Sequence, residues 1–387
     1  MPRICILSSV HQALDNRIFY REAQSLRQAG YDVTLIAIHN RKETKDGVAI
    51  IGLPSVQRWQ RPILWFRLIH LANHLRADVY HIQDPELLLI SPVLKWQTGK
   101  PVIYDVHEDY AGFMETKDYV PHWFRRPLSR IVAFSEPKMA QFQNGLIFAD
   151  DQIANLFQAV KLPKTTLFNF PGQKFIDRAI ETKNNNGANS HTVLHLGGHK
   201  RGRGIFLMLE AFQKVHEELP QARLLLVGPF QPNELEQTIR KEVNDRGLAE
   251  VIRITGSVRF EEVGEYYRQA SVGWIPWEPV AKNQKNVPTK LFEYMAYGLP
   301  VVSSDLQSVR QFLDQDKTGL LVPAADPDAH SQAIITLLKN PEVARSMGHE
   351  GQRKVQAQYN WNSMEERLLR LYDQVLGAKD VASLPED

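Results

Sequence analysis

Short β-branched runs alternate with helix-length amphipathic stretches along almost the whole chain, and the alternation restarts after a polar break. In the first half, Ile4 to Ser8, Val33 to Ala37, Val79 to Ile82 and Pro101 to Asp105 read as strands. Arg17 to Gln28, stopped by Gly30, reads as a helix, as do Leu64 to Leu75 and Pro85 to Trp96. Strands alternating with helices specify βαβ units and a parallel sheet, because parallel neighbours need a long crossover. The second half repeats the pattern. His191 to Leu196, Arg223 to Val227 and Val251 to Ile254 are strands, with helices running to Glu218 and Arg246. Val272 to Ile275, Val301 to Ser303 and Gly319 to Val322 continue the series.

The break is Lys183-Asn-Asn-Asn-Gly-Ala-Asn-Ser190, polar and without period. A chain of 387 residues is too long for one core. The expected organisation is α/β, with two doubly wound Rossmann-like domains at 1–182 and 190–360. Residues 361–376 form a helix whose apolar stripe suits a return to the first domain. Residues 377–387 read as a disordered tail.

A formal charge of +2 does not favour nucleic acid as a partner. The single cysteine, Cys5, sits in an apolar run and reads as a buried strand residue of a reducing compartment. The first apolar run is too short for a signal peptide, and none approaches the roughly 20 residues needed to span a bilayer. These features predict a cytoplasmic chain. No histidine–carboxylate cluster or cysteine pair has metal-ligand spacing. Asp314-Gln-Asp316 and Asp326-Pro-Asp328 read as turns.

Five places stand out. His195-Leu-Gly-Gly-His-Lys-Arg-Gly-Arg-Gly204 follows a strand and opens a helix. Gly197 and Gly198 let backbone approach a ligand, and Lys200, Arg201 and Arg203 add charge suited to a pyrophosphate. The spacing is not the dinucleotide fingerprint. Asn286-Val-Pro-Thr-Lys-Leu-Phe-Glu293 places Pro288, Thr289 and Lys290 at a helix start, where an anion is favoured, and Glu293 about one turn deeper, where it can accept from hydroxyls. Phosphate plus vicinal hydroxyls is the signature of a ribonucleotide. Tyr104-Asp-Val-His-Glu-Asp109 ends a strand, which makes His107 and Glu108 site candidates, since open α/β sheets bind ligands outside their carboxyl ends. His11, Asp15 and Arg17 lie in the first strand-to-helix loop, where Asp15 serves either as a ligand contact or as a helix cap. Trp123 to Arg130 mixes aromatics with three arginines, which suits a solvated helix with buried aromatics or peripheral contact with an anionic membrane.

The segment Pro288 to Val302 resembles the donor-binding segment of retaining glycosyltransferases with the two-domain GT-B fold, the group sometimes numbered family 4. Supporting matches are Gly197 to Gly204, Val227-Gly228, Ile254 to Ser257, Asn169 to Pro171 and Tyr359 to Trp361. Asp15 to Ile18 and Tyr104 to Glu108 are similar to one branch of it. The resemblance implies two Rossmann-like domains facing a cleft, and a nucleotide-sugar donor held by the second. It implies that Glu293 binds the ribose, that Pro288, Thr289 and Lys290 contact the diphosphate, and that Arg203 neutralises it. His107 is similar to the first-domain histidine facing the donor sugar, and is expected to be catalytic with Arg203 and Glu293. Carbohydrate or glycolipid acceptors are expected near His11, Asp15, Arg17 and Glu108, at the inner face of the plasma membrane. No cofactor and no metal is expected. Three positions depart from the pattern. Lys285 replaces the first motif glutamate, Gly197 or Gly198 replaces an arginine, and the first-domain loop lacks its usual glycines. The alternatives are a sugar-nucleotide 2-epimerase on the same fold and a non-catalytic nucleotide-sugar-binding protein.

Overall fold

A computed structural model describes residues 1–115, 120–181, 191–259 and 262–377. The break at 183–190 and the tail after 377 lie outside the described residues. The chain forms two compact units, Met1–Asn169 with Trp361–Asp387, and Phe170–Asn360.

The first unit contains β1 (Arg3–Gln12), β2 (Asp32–Ile38), β3 (Lys42–Lys45), β4 (Val48–Leu53), β5 (Val79–Ile82), β6 (Val102–Val106), β7 (Gly145–Phe148) and β8 (Lys164–Thr166). Their order is β3-β4-β2-β1-β5-β6-β7-β8. β3 pairs antiparallel with β4, and the other neighbours are parallel. Every residue of β5 and β6 is buried, because both faces of a parallel sheet are covered by crossovers. The helices are α1 (Gln24–Gln28), α2 (Arg61–Leu75), α3 (Ser91–Thr98), α4 (Tyr110–Met114), α5 (His122–Ala140) and α6 (Asp151–Leu156). The helix expected from Arg17 begins instead with π-type hydrogen bonds over Ile18–Ala23, such as Glu22 N–H to Arg17 O. The hairpin β3–β4 was not anticipated. Its signal is Asp46-Gly47, both with positive φ, which is the two-residue turn that matches strand twist.

The C-terminal helix Trp361–Leu376 belongs to this first unit. Trp361 Nε1 donates to Ser25 Oγ at 2.9 Å, and the Tyr372 hydroxyl meets His81 Nδ1 at 2.9 Å. Leu368, Leu371 and Tyr372 are buried beneath it. Cys5 is buried in β1, and burial pushes its thiol pKa up.

The second unit has β9 (Thr192–Leu196), β10 (Arg223–Val227), β11 (Ile252–Gly256), β12 (Val272–Ile275), β13 (Val301–Ser304) and β14 (Gly319–Val322), ordered β11-β10-β9-β12-β13-β14. Its helices are α7 (Gln173–Glu181), α8 (Ile205–Glu218), α9 (Glu234–Asp245), α10 (Val263–Gln269), α11 (Ala281–Lys285), α12 (Thr289–Ala296), α13 (Gln307–Arg310), α14 (Pro327–Lys339) and α15 (Pro341–Ala357). Phe170–Glu181 joins this unit, although the sequence places it in the first domain. Aromatic packing decides the matter. Phe170 meets Phe292, Phe312 and Tyr359, and Phe175 meets Tyr267 and Tyr297. The polar break is therefore an interruption inside the second unit.

Candidate functional site

Strand order reverses between β9 and β12 in the second unit, and between β1 and β5 in the first. Loops leaving a sheet at such a point diverge and open a crevice at the strands' carboxyl ends. The residues singled out from the sequence gather at these two places.

In the second unit the loop after β9 lies against the segment after β12. Gly204 has φ +75°, and a Cβ there would stand 1.9 Å from the Pro276 carbonyl oxygen. Gly228 at φ +130° likewise lets the chain pass Gly197 O, which a Cβ would approach to 2.2 Å. Asn283 Nδ2 donates to Gly202 O at 2.7 Å, and Glu278 N–H donates to the same oxygen at 3.2 Å. Thus the loop's shape is held from outside. The Gly204→Ala variant is expected to lose about 1–3 kcal/mol of stability, because the new Cβ displaces the loop from Pro276. Denaturant unfolding checks this.

Arg203 is set by that shape. Its guanidinium lies over the Trp277 ring, 4.7 Å from the centroid. Burial lowers its pKa, and among the described residues it has no carboxylate partner. Lys200 and Arg201 are exposed, and Arg201 rests over Phe206. A half-buried cation stacked on an indole, with no carboxylate of its own, is arranged for an external anion.

Pro288 is the N-cap of α12 and offers no side-chain cap to the helix's first amides. Thr289 is its first residue. One turn in, Lys290 Nζ reaches Glu293 Oε2 at 2.6 Å, and the Tyr267 hydroxyl donates to the same oxygen. Glu293 Oε1 accepts from neither. The helix start is pinned to β9, because Leu196 N–H donates to the Tyr294 hydroxyl at 2.9 Å. Burial lowers the His195 pKa to about 4, and the charges of Arg203 and Lys290 both push the same way. Both cations therefore sit within electrostatic reach of the end of β9. Tyr267 and Trp277 complete the site. Tyr267 carried no sequence signal, being one tyrosine in a helix remote from the motif.

In the first unit, His107 Nε2 lies 2.6 Å from Gln83 Oε1 and 3.2 Å from Asp105 Oδ2. His11 stands at the end of β1 rather than in the loop beyond. Its Nε2 is 3.4 Å from Asp84 Oδ1, and its ring centroid is 4.9 Å from that of His107. Burial, then the charge of His107, lowers the His11 pKa. Two carboxylate-backed imidazoles thus stand side by side. Glu108 is partly exposed next to them. Asp15 is a cap, its Oδ1 accepting from Arg17 N–H at 2.7 Å and Ile18 N–H at 3.1 Å.

Arg17 does not face an acceptor, contrary to expectation. It is 5% exposed. Its Nε and Nη2 donate to the two oxygens of Asp105 at 2.9 and 3.0 Å, and its Nη1 donates to Leu167 O at 2.7 Å. Glu22 Oε1 lies 2.9 Å from Nε. Glu22, His81 and Asp105 converge closely enough to hold a metal ion, but the Arg17 guanidinium supplies the positive charge there. The place of Arg17 in the first strand-to-helix loop does not reveal that its partners are Asp105 and Leu167, 88 and 150 residues away.

Comparison with known proteins matches each half of the chain to a glycosyltransferase family model. Residues 16–169 match the family described as "Glycosyl transferase 4-like domain", and residues 190–340 match "Glycosyl transferases group 1". The chain is 32% identical over 185 residues to a phosphatidyl-myo-inositol mannosyltransferase of Mycobacterium leprae, covering 48% of this chain and 46% of that protein. It is 25% identical to a GDP-mannose-dependent alpha-(1-6)-phosphatidylinositol monomannoside mannosyltransferase of Mycobacterium tuberculosis, covering 83% and 82% of the two. The match spans about half the length of the first of these relatives. Among solved structures, sucrose-phosphate synthase from Thermosynechococcus elongatus superposes with a TM-score of 0.76 at 20% identity, covering 98% of this chain and 100% of that one.

Proposed function

The chain belongs to the group 1 glycosyltransferases of GT-B fold, and from that premise we propose that it transfers a hexose, with retention, from a nucleotide sugar to an acceptor hydroxyl. The observation that carries this reading is Arg203, a desolvated cation without a carboxylate partner among the described residues, held on Trp277 near the same strand end as Lys290.

Cleavage of the anomeric bond builds negative charge on the departing diphosphate. Arg203, Lys290 and the start of α12 are fixed in place to stabilise it before the bond breaks. Lys200 and Arg201 add to the local field. Glu293, with Oε1 open, accepts from the ribose hydroxyls. The acceptor hydroxyl attacks from the face the leaving group vacates, and its proton passes to the departing phosphate oxygen. In the first unit, His107, oriented by Gln83 and Asp105, is assigned to the transferred sugar, and His11 and Glu108 beside it to the acceptor. No pair of carboxylates is needed to flank the bond, unlike in glycoside hydrolysis. With cations and backbone amides in this role the reaction is proposed to be independent of metal.

The names of the two mycobacterial relatives make GDP-mannose the first donor to test and an inositol phospholipid the first acceptor. Cytoplasmic chemistry at the inner membrane face, with Trp123 to Arg130 as a point of contact, is proposed on the same footing. Glu293→Ala is expected to weaken donor binding about 10- to 100-fold, since a hydrogen bond to a charged group is worth roughly 1.5–3 kcal/mol. The assay is release of free nucleotide in the presence of acceptor and a chelator. Unchanged donor affinity in this variant, or a strict need for added magnesium, overturns the corresponding assignment. An epimerised donor formed without acceptor would favour an isomerase, and binding without turnover would favour a non-catalytic role.

A further inference from the structure

The crossovers from β4 to β5, β5 to β6 and β6 to β7 run in one direction along the first unit's sheet. Right-handed connection therefore puts α2, α3 and α5 on the same face. Their inner sides share one apolar cluster that includes Leu64, Leu68, Leu94 and Ala140. Gln143 Nε2 donates to Ser91 Oγ at 2.9 Å and Lys95 Nζ to Phe142 O at 2.5 Å, tying α3 to the end of α5. The outer sides are unusual. Trp59, Phe66, Trp96, Trp123, Phe134 and Phe142 are each between 63% and 84% exposed. The aromatics of the arginine-rich segment are thus turned out to solvent, not buried.

The charge of this layer is equally one-sided. Residues 54–77, 87–100 and 120–142 carry ten lysines and arginines and one carboxylate, Glu136; of the ten, Arg61 and Lys100 pair with Glu86 and Asp78 just outside these spans. Glu136 is buried and accepts from the Tyr104 hydroxyl at 2.7 Å. The whole chain, by contrast, is nearly balanced, with 46 basic and 44 acidic residues. A second copy docking face to face would bring these cations against like cations, which is repulsive. Aromatic rings interleaved with Lys and Arg suit a boundary where rings enter acyl chains and cationic heads stay at the phosphates.

We propose that the outer face of α2, α3 and α5 docks on an anionic lipid bilayer. The inference goes beyond contact at one segment, and it stands whether or not the proposed reaction does. Each basic residue near such a surface contributes a factor of about five to binding.

The test is co-sedimentation of the full chain with phosphatidylcholine vesicles with and without about a third phosphatidylglycerol. Binding to the anionic vesicles, weakened by salt, is expected. Arg126→Glu with Arg130→Glu should weaken it about 25-fold or more, and Trp96→Ser with Phe66→Ser should also weaken it, with circular dichroism unchanged in both. Absence of binding to anionic vesicles, or binding that neither double variant alters, overturns the proposal. So does a dimer in sedimentation velocity that Trp96→Ser with Phe66→Ser dissolves, since that assigns the face to a protein contact.

Discussion

Arg203→Ala is expected to lower turnover by about 10²–10³-fold, the usual effect of removing one preorganised donor from developing negative charge. The same substitution should leave the melting temperature unchanged or raise it. The reason lies in the site. Arg203 is half-buried, its pKa is lowered by burial, and among the described residues no carboxylate repays the desolvation. Removing it relieves an electrostatic cost in the empty protein and removes stabilisation only when the diphosphate is present. Loss of rate with gain of stability is the mark of a residue held for function. Arg203→Lys should recover only part of the rate, because an ammonium neither stacks as well on Trp277 nor forks to two oxygens. Kinetics in the nucleotide-release assay, paired with thermal unfolding, decide it. A rate near wild type in Arg203→Ala, or a large drop in stability, contradicts the assignment.

The donor half was readable in sequence because its determinants are local. Glycines where backbone must pass backbone, a proline at a helix start and a carboxylate one turn on are all defined within a few residues. Gly204 and Gly228 show the physical basis, since in each case a Cβ would collide with a carbonyl. What fixes Arg203, however, is Trp277, more than seventy residues away, and what holds Glu293 is Tyr267 in α10. Such partners are set by which strands neighbour each other, and spacing along the chain does not carry that information. The strand pattern was legible for the buried parallel strands, whose apolar runs are continuous. It failed for Lys42–Lys45, where every residue is polar or charged, and only the Asp46-Gly47 turn marks the hairpin. Phe170–Glu181 was assigned to the wrong unit for a related reason. A glycine- and asparagine-rich stretch reads as a domain boundary, but the aromatic packing of Phe170 and Phe175 determines where the chain changes allegiance.

Arg17 is where local reading and tertiary structure conflict most sharply, and its substitution should be the most damaging to stability. Arg17→Ala leaves Asp105 and Glu22 buried together without their counter-charge. Breaking a buried ion pair from one side typically costs about 3–5 kcal/mol, a large share of the stability of a domain. The direction of the pH dependence follows from the carboxylates. Burial alone would push the Asp105 carboxyl up, but Arg17 and His107 outweigh it and hold the pKa well below the usual range. A group depressed in the folded state stabilises above its unfolded pKa of roughly 3.9. That contribution is lost as pH falls toward the folded value. Without Arg17 the sign reverses. Burial, the largest single influence on Asp105, is then opposed by His107 alone, so the Asp105 pKa is expected to rise and the variant to gain stability on acidification. Glu22 behaves this way already, its pKa raised by burial first and by Asp105 second. The gap between wild type and Arg17→Ala should therefore be widest near pH 7, begin to narrow as pH falls through the variant's raised carboxylate pKa, and narrow further below about pH 4, where wild type loses its own contribution. Urea unfolding at a series of pH values measures it directly. A difference under about 1 kcal/mol at pH 7, in the range of exposed pairs, would return Arg17 to the acceptor-contact role suggested by its place in the sequence. If the large difference is found, the consequence reaches the site. Asp105 is the residue that meets both Arg17 and His107 Nε2, so the ion pair that stabilises the first unit also orients its imidazole.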